Sequence, residues 1–116
     1  MSALSDALSA AQADGRAALI GYLPVGYPDV DTSIEAMIAM VEGGVDIVEV
    51  GLPYSDPGMD GPVIQRAVDP AVRAGVGPRD ALLGAKAVAG SGAAAVVMSY
   101  WNPIEHYGVE RFARDL

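Results

Sequence analysis

Cysteine is absent from the 116 residues, which excludes a disulfide scaffold and makes a reducing compartment the default setting. Positive charge is scarce. Seven Lys and Arg against fifteen Asp and Glu leave a formal net charge of -8, a poor match for nucleic acid or for an anionic membrane surface. The opening residues, MSALSDALSAAQADG, lack the basic start and apolar core of a signal peptide, and no segment approaches the apolar length of a membrane span. These absences predict a soluble, cytoplasmic protein that binds neither nucleic acid nor membrane. Histidine occurs once, at position 106 in a connecting stretch, where it reads as a surface residue. What is present, 52% hydrophobic and 19% charged residues, is the composition of a globular protein, and the length suits about one small domain.

Hydrophobic periodicity divides the chain into alternating helices and strands. Leu4, Ala7, Leu8 and Ala11 recur at helical spacing, with Ser2 able to cap the start and Gly15 the end. Ala17 to Leu23 then reads as a strand apolar on both faces, broken by Pro24, Gly26 and Pro28. The next helix carries a start signal in Asp31-Thr32-Ser33, Thr32 and Glu35 fitting a capping box. Its apolar stripe is Ile34, Met37, Ile38 and Val41, and it stops at Gly43-Gly44. A second strand follows at once. Helix, strand, helix, strand at this spacing is a βα repeat, which implies parallel strands. Beyond it, Pro62 opens a helix that Pro70 should kink or end, and Pro78 opens another. On that second helix Ala81, Gly84, Ala85 and Val88 form a side small enough for close packing on a sheet. Ala93 to Ser99 reads as a third strand, and Val109, Phe112, Ala113 and Leu116 as a last helix.

The stretch Val45 to Gln65, VDIVEVGLPYSDPGMDGPVIQ, holds the chemical anomaly. Glu49 interrupts an apolar, β-branched strand, where a carboxylate buried without a partner costs several kcal/mol. Alternation puts Val45, Ile47 and Glu49 on one face and Asp46, Val48 and Val50 on the other. Glu49 lies at the strand's C-terminal end, the end that carries chemistry in parallel α/β folds. Asp56 and Asp60 follow in the loop, and no Lys or Arg precedes Arg66 to neutralise the three. Asp56 beside Pro57 also has an ordinary reading as a turn former. Tyr22 and Tyr100, each at a strand end, read equally well as packed aromatics or as walls of a ligand pocket. Mg²⁺ or Ca²⁺ would accept such oxygen ligands, but no recognised binding-loop pattern is present, so no metal site is expected.

The run Val48-Glu49-Val50-Gly51-Leu52-Pro53-Tyr54-Ser55-Asp56-Pro57, with Asp60-Gly61-Pro62 and Ile64-Gln65, closely resembles the signature of the tryptophan synthase α-subunit family. Tyr22-Leu23-Pro24-Val25-Gly26-Tyr27-Pro28, Gly43-Gly44-Val45-Asp46 and Tyr100-Trp101-Asn102-Pro103 fit the same family in order. The resemblance implies part of a (β/α)8 TIM barrel, with residues 1–116 as the N-terminal part of one domain: an N-terminal helix and the first three βα units of eight. Ile20, Val45, Ile47, Val96 and Met98 would then face the barrel interior. Left wet, each forfeits on the order of 1.5–3 kcal/mol, and the apolar edge strands would invite pairing with other chains.

The activity so implied is a lyase step of tryptophan biosynthesis, retro-aldol cleavage of indole-3-glycerol phosphate to indole and glyceraldehyde 3-phosphate. The leaving indole carbon must gain a proton and the neighbouring glycerol hydroxyl must lose one. A single carboxyl group in an apolar setting serves both demands, and Glu49 is the match. Asp60 matches the carboxylate that accepts the indole N–H as positive charge develops there. Tyr22 and Tyr100 match substrate-binding positions, and Asp56 with Pro57 the loop that contacts the β subunit. No cofactor is expected in this chain; pyridoxal phosphate belongs to the β partner of the heterotetramer. Gly58, Gly21 and Tyr27 depart from residues common in the family. The family's phosphate-binding loops and a catalytic tyrosine of a later loop have no counterpart here, so the isolated chain is expected to be inactive. A different sugar-phosphate enzyme on the same barrel would need to use Glu49 and Asp60 without a nearby histidine. A non-catalytic module that docks on a β subunit, or self-associates through its sheet edges, is the remaining alternative.

Overall fold

Residues 2–116 are described by the structure, a computed structural model. Three parallel strands, β1 (Ile20–Pro24), β2 (Ile47–Gly51) and β3 (Ala94–Met98), pair in the order β1-β2-β3. Six helices accompany them: α1 (Ala3–Ala13), α2 (Val30–Glu42), α3 (Pro62–Arg73), α4 (Pro78–Gly90), α5 (Trp101–Tyr107) and α6 (Val109–Asp115). The strands pair without stagger, Tyr22 opposite Glu49 and Glu49 opposite Val96. All three therefore end together, and one C-terminal rim carries the loops that follow them.

One sheet face is a packed core. Val48 and Val50 of β2, with Leu23, Ala95 and Val97 beside them, meet Met37 of α2 and Ala81 and Val88 of α4. The small side of α4 works as the spacing predicts: a Cβ on Gly84 would stand 3.4 Å from Val50 Cγ1 and 3.6 Å from Met37 Sδ, so the helix backbone rests almost directly on the sheet. The opposite face is less bare than expected. Ile47 is fully buried there, between Ile20 and Ala94 in register, and α1 packs against β3. Ile20 and Met98, on the outer strands, remain 51% and 41% exposed. Of the α1 stripe only Ala11 is buried.

Several local expectations need correction. The cap of α2 is Asp29 rather than Thr32. Asp29 Oδ1 accepts the Thr32 N–H at 2.8 Å and Oδ2 the Thr32 hydroxyl at 2.9 Å, so Thr32 lies inside the first turn. Pro70 does not end α3, which continues to Arg73. Burial of Val68 and Ala71 on either side of Pro70 holds the helix despite the missing N–H. The stretch after Tyr100 is helical as α5. Pro103 occupies its first turn, where a backbone N–H has no partner within the helix and its absence is harmless. His106 sits on that helix and is exposed, in keeping with a surface role. In α6 only Phe112 is buried, with Val109 and Leu116 left outside.

An ion pair brackets the strands' N-terminal side. Arg16 reaches both oxygens of Asp46 at 2.8 Å, and Asp46 Oδ2 also accepts the Leu19 N–H at 2.8 Å. Arg16 is the larger cause, and Leu19 the next, that holds the Asp46 carboxyl down at about 2. The segment entering β1 is thereby tied to the residue just before β2.

Candidate functional site

The C-terminal rim of the sheet gathers the chemistry-bearing residues. Tyr22, in the middle of β1, leans along the strand toward Gly51. A Cβ built on Gly51 would fall 2.6 Å from the Tyr22 hydroxyl oxygen and 2.8 Å from Cε2, so only glycine leaves this seat open. The ring there is half-buried. Burial first, and then the negative charge of Asp60 and Glu49, pushes the Tyr22 hydroxyl up to about 12, which keeps it protonated at neutral pH.

Tyr22, Asp60 and Tyr100 line one cavity of about 280 Å³, together with Leu52, Val68, Met98, Ser99 and Met59. Its walls are apolar apart from the two phenols, the Ser99 hydroxyl and one carboxylate, the mixture expected of a small-ligand site. Glu49 does not line this cavity. It is half-buried on the same sheet face, directly across in register from Tyr22, which lines the cavity.

The loop from Leu52 to Gly61 carries the acidic residues. Leu52 is held to β3 by its N–H, which donates to the Met98 carbonyl oxygen at 2.9 Å. Asp56 shapes a turn: its carbonyl oxygen accepts the Gly58 N–H at 2.9 Å, and its carboxylate accepts the Ser55 hydroxyl at 3.2 Å. The Asp60 N–H donates to the Pro57 carbonyl oxygen at 3.2 Å. Asp56 is exposed and Pro57 half-buried, both outside the cavity. On the outer side Leu52, Pro53, Tyr54 and Ser55 border an open groove of about 740 Å³ shared with Asn102, Pro103 and His106. No group of three or more His, Cys, Asp or Glu side chains among the described residues is placed to hold a metal ion.

Two residues of this rim were not singled out by sequence reasoning. Tyr54 stands with its ring centroid 5.2 Å from that of Tyr100, and Asn102 Nδ2 donates to the Tyr54 hydroxyl at 2.8 Å. The only hint in the sequence was their place inside the two motifs.

Comparison with known proteins shows the kinship of this chain. A profile of the family "Tryptophan synthase alpha chain" matches residues 8–116. The chain belongs to the tryptophan synthase alpha chain family. The alpha chain of Thermobifida fusca is 61% identical over 116 residues, all of this chain and 43% of the relative; that of Mycobacterium avium is 60% identical over 115 residues. Tryptophan synthase of M. tuberculosis in its aminoacrylate-bound form superposes with a TM-score of 0.95 at 58% identity, over 100% of this chain and 47% of that one. The alpha subunit of Legionella pneumophila gives 0.92 at 32% identity. The chain thus spans under half the length of these relatives, matching the N-terminal helix and first three βα units of their barrel.

Proposed function

We propose that residues 1–116 are the N-terminal part of a single TIM-barrel domain of a tryptophan synthase alpha chain. Its reaction is the cofactor-free cleavage of indole-3-glycerol phosphate to indole and glyceraldehyde 3-phosphate. The observation that supports this reading is the meeting of Tyr22, Asp60 and Tyr100 around one cavity at the strand ends, with Glu49 beside it, opposite Tyr22 in register. Glu49 protonates the indole carbon as the carbon-carbon bond breaks and takes the proton of the adjacent glycerol hydroxyl, whose carbon becomes the aldehyde. The Asp60 carboxylate accepts the indole N–H while positive charge spreads onto that nitrogen. The cavity's apolar walls suit an indole ring, with Tyr22 and Tyr100 as its polar-tipped sides.

Asp56 and Pro57, outside the cavity and beside the open groove, belong to the surface that meets a β subunit, which brings the pyridoxal phosphate. A cytoplasmic setting follows from that biosynthetic role; no described helix is long and apolar enough to cross a membrane. The phosphate site and the rest of the barrel lie in the part of the relatives that these residues do not cover. The chain by itself is accordingly expected not to release indole.

The test uses an alpha chain in which these residues are extended to the relatives' full length. Glu49→Gln is expected to lower kcat for indole formation roughly 10²–10⁴-fold, the usual worth of a general acid-base group. Asp60→Asn is expected to lower it roughly 10²–10³-fold, the usual worth of one electrostatic stabiliser. Retention of activity within tenfold by Glu49→Gln would remove the central role given to that residue.

A further inference from the structure

Asp60 has no regular secondary structure to hold it. It belongs to the stretch between β2 and α3, whose tip is open: Met59 is 91% exposed, and Gly58 is exposed as well. Its backbone is nevertheless fixed from two sides. The Met59 N–H donates to the Tyr100 hydroxyl at 2.9 Å, and the Asp60 carbonyl oxygen accepts Gln65 Nε2 at 2.7 Å. One tether comes from the end of β3 and the other from the first turn of α3, so the peptide unit joining residues 59 and 60 hangs between two independent elements. Tyr100 is itself braced by the tilted Tyr54 ring at 5.2 Å, and Tyr54 by Asn102 at 2.8 Å. Among the described residues these are the only side-chain hydrogen bonds that link residues 53–60 to the rest of the chain.

We propose that Tyr54, Asn102 and Gln65 are positioning residues that set where the Asp60 carboxylate stands in the cavity, Tyr54 and Asn102 acting through Tyr100. The inference rests on the catalytic reading of Asp60 for its consequence in turnover, but not for its structural part. Accepting the Met59 N–H leaves the Tyr100 O–H proton free, so the anchor can still donate into the cavity. The brace has a chemical signature of its own. The Tyr54 hydroxyl can donate as well as accept, so Asn102→Asp preserves the contact with its polarity reversed, whereas Asn102→Leu, of similar size, abolishes it.

The first measurement is amide hydrogen exchange at Met59 in the full-length alpha chain, which needs no substrate. Loss of one net hydrogen bond corresponds to roughly 2- to 13-fold faster opening. Tyr54→Phe, Asn102→Leu and Gln65→Leu are each expected to speed Met59 exchange within that range, and Asn102→Asp to restore protection. Ser55→Ala, which touches only the neighbouring Asp56 side chain, is expected to leave it unchanged. The second measurement is turnover by the full-length alpha chain, where Tyr54→Phe and Asn102→Leu should lower kcat several-fold at unchanged KM, with Asn102→Asp rescuing. Unchanged Met59 exchange in all three variants would overturn the positioning role. Faster exchange in a full-length chain that forms no indole would keep the tethers and overturn the lyase reading instead.

Discussion

Adding one methyl group at Gly51 probes how the cavity is built. The new Cβ would lie 2.6, 2.8 and 2.9 Å from three atoms of the Tyr22 side chain, against about 3.5–4.0 Å for an ordinary carbon contact. The ring must therefore move by about 1 Å. Overpacking of this kind costs about 1–3 kcal/mol. Against it stands the gain of replacing a strand glycine by alanine, about 0.5–1 kcal/mol. The net expectation for Gly51→Ala is a loss of up to about 2.5 kcal/mol, or up to about 10 °C in Tm for a chain of this size. Sign reversal makes the test sharp: in a Tyr22→Leu background the clash is gone, and the same substitution should stabilise by about 0.5–1 kcal/mol. Thermal unfolding followed by circular dichroism on the four proteins of this cycle supplies the numbers. A cost at Gly51 that is the same with and without the Tyr22 ring would refute the proposed seat.

Three further outcomes are expected. Tyr22 ionises at about 12 when folded against 10 in its ordinary state. The raised folded value means stability is intact below pH 10 and lost as pH rises from 10 through 12, and Tyr22→Phe should abolish that part of the alkaline limb in a pH series of denaturant titrations. For Asp46 the sign is opposite. A folded value near 2, below the ordinary 3.8, gives stability present above pH 3.8 and lost as pH falls toward 2, so Asp46→Asn should lower stability at neutral pH and flatten the acid limb. Ser33, 1% exposed, accepts the Gly26 N–H at 2.9 Å and donates to the Val30 carbonyl oxygen at 2.8 Å. Ser33→Ala strands a buried N–H and should cost about 1–3 kcal/mol, read as a lower denaturation midpoint at unchanged slope.

Much of the fold was legible because it rests on local pattern. The apolar runs around Ile20, Val48 and Val96 can bury both faces only in a parallel sheet covered by helices, and their spacing leaves room for nothing but helical crossovers. Alternation correctly put Val48 and Val50 on one face and Glu49 on the other. The misreadings arose where a local signal met a stronger competitor. Thr32 had the spacing of a cap, but Asp29, three residues earlier, caps better because a carboxylate binds both the backbone N–H and the Thr32 hydroxyl. Pro70 read as a breaker, yet packing held its helix. Burial of Ile47 was not foreseen, since a strand's own sequence does not say what will cover its second face.

By itself the sequence determined the family, the order of helices and strands, and the concentration of carboxylates at one strand end, because each of these is written in neighbouring residues. Tertiary structure alone decided which of those residues meet. It put Tyr22, Asp60 and Tyr100 around one cavity while leaving Glu49, the register partner of Tyr22, outside its lining. It joined Met59 to Tyr100 across 41 positions, Tyr54 to Asn102 across 48 and Arg16 to Asp46 across 30. It also made Gly51 the floor of the Tyr22 ring. Contacts of that kind depend on strand register and helix packing, which are set by closure of the whole core and leave no period or spacing along the chain.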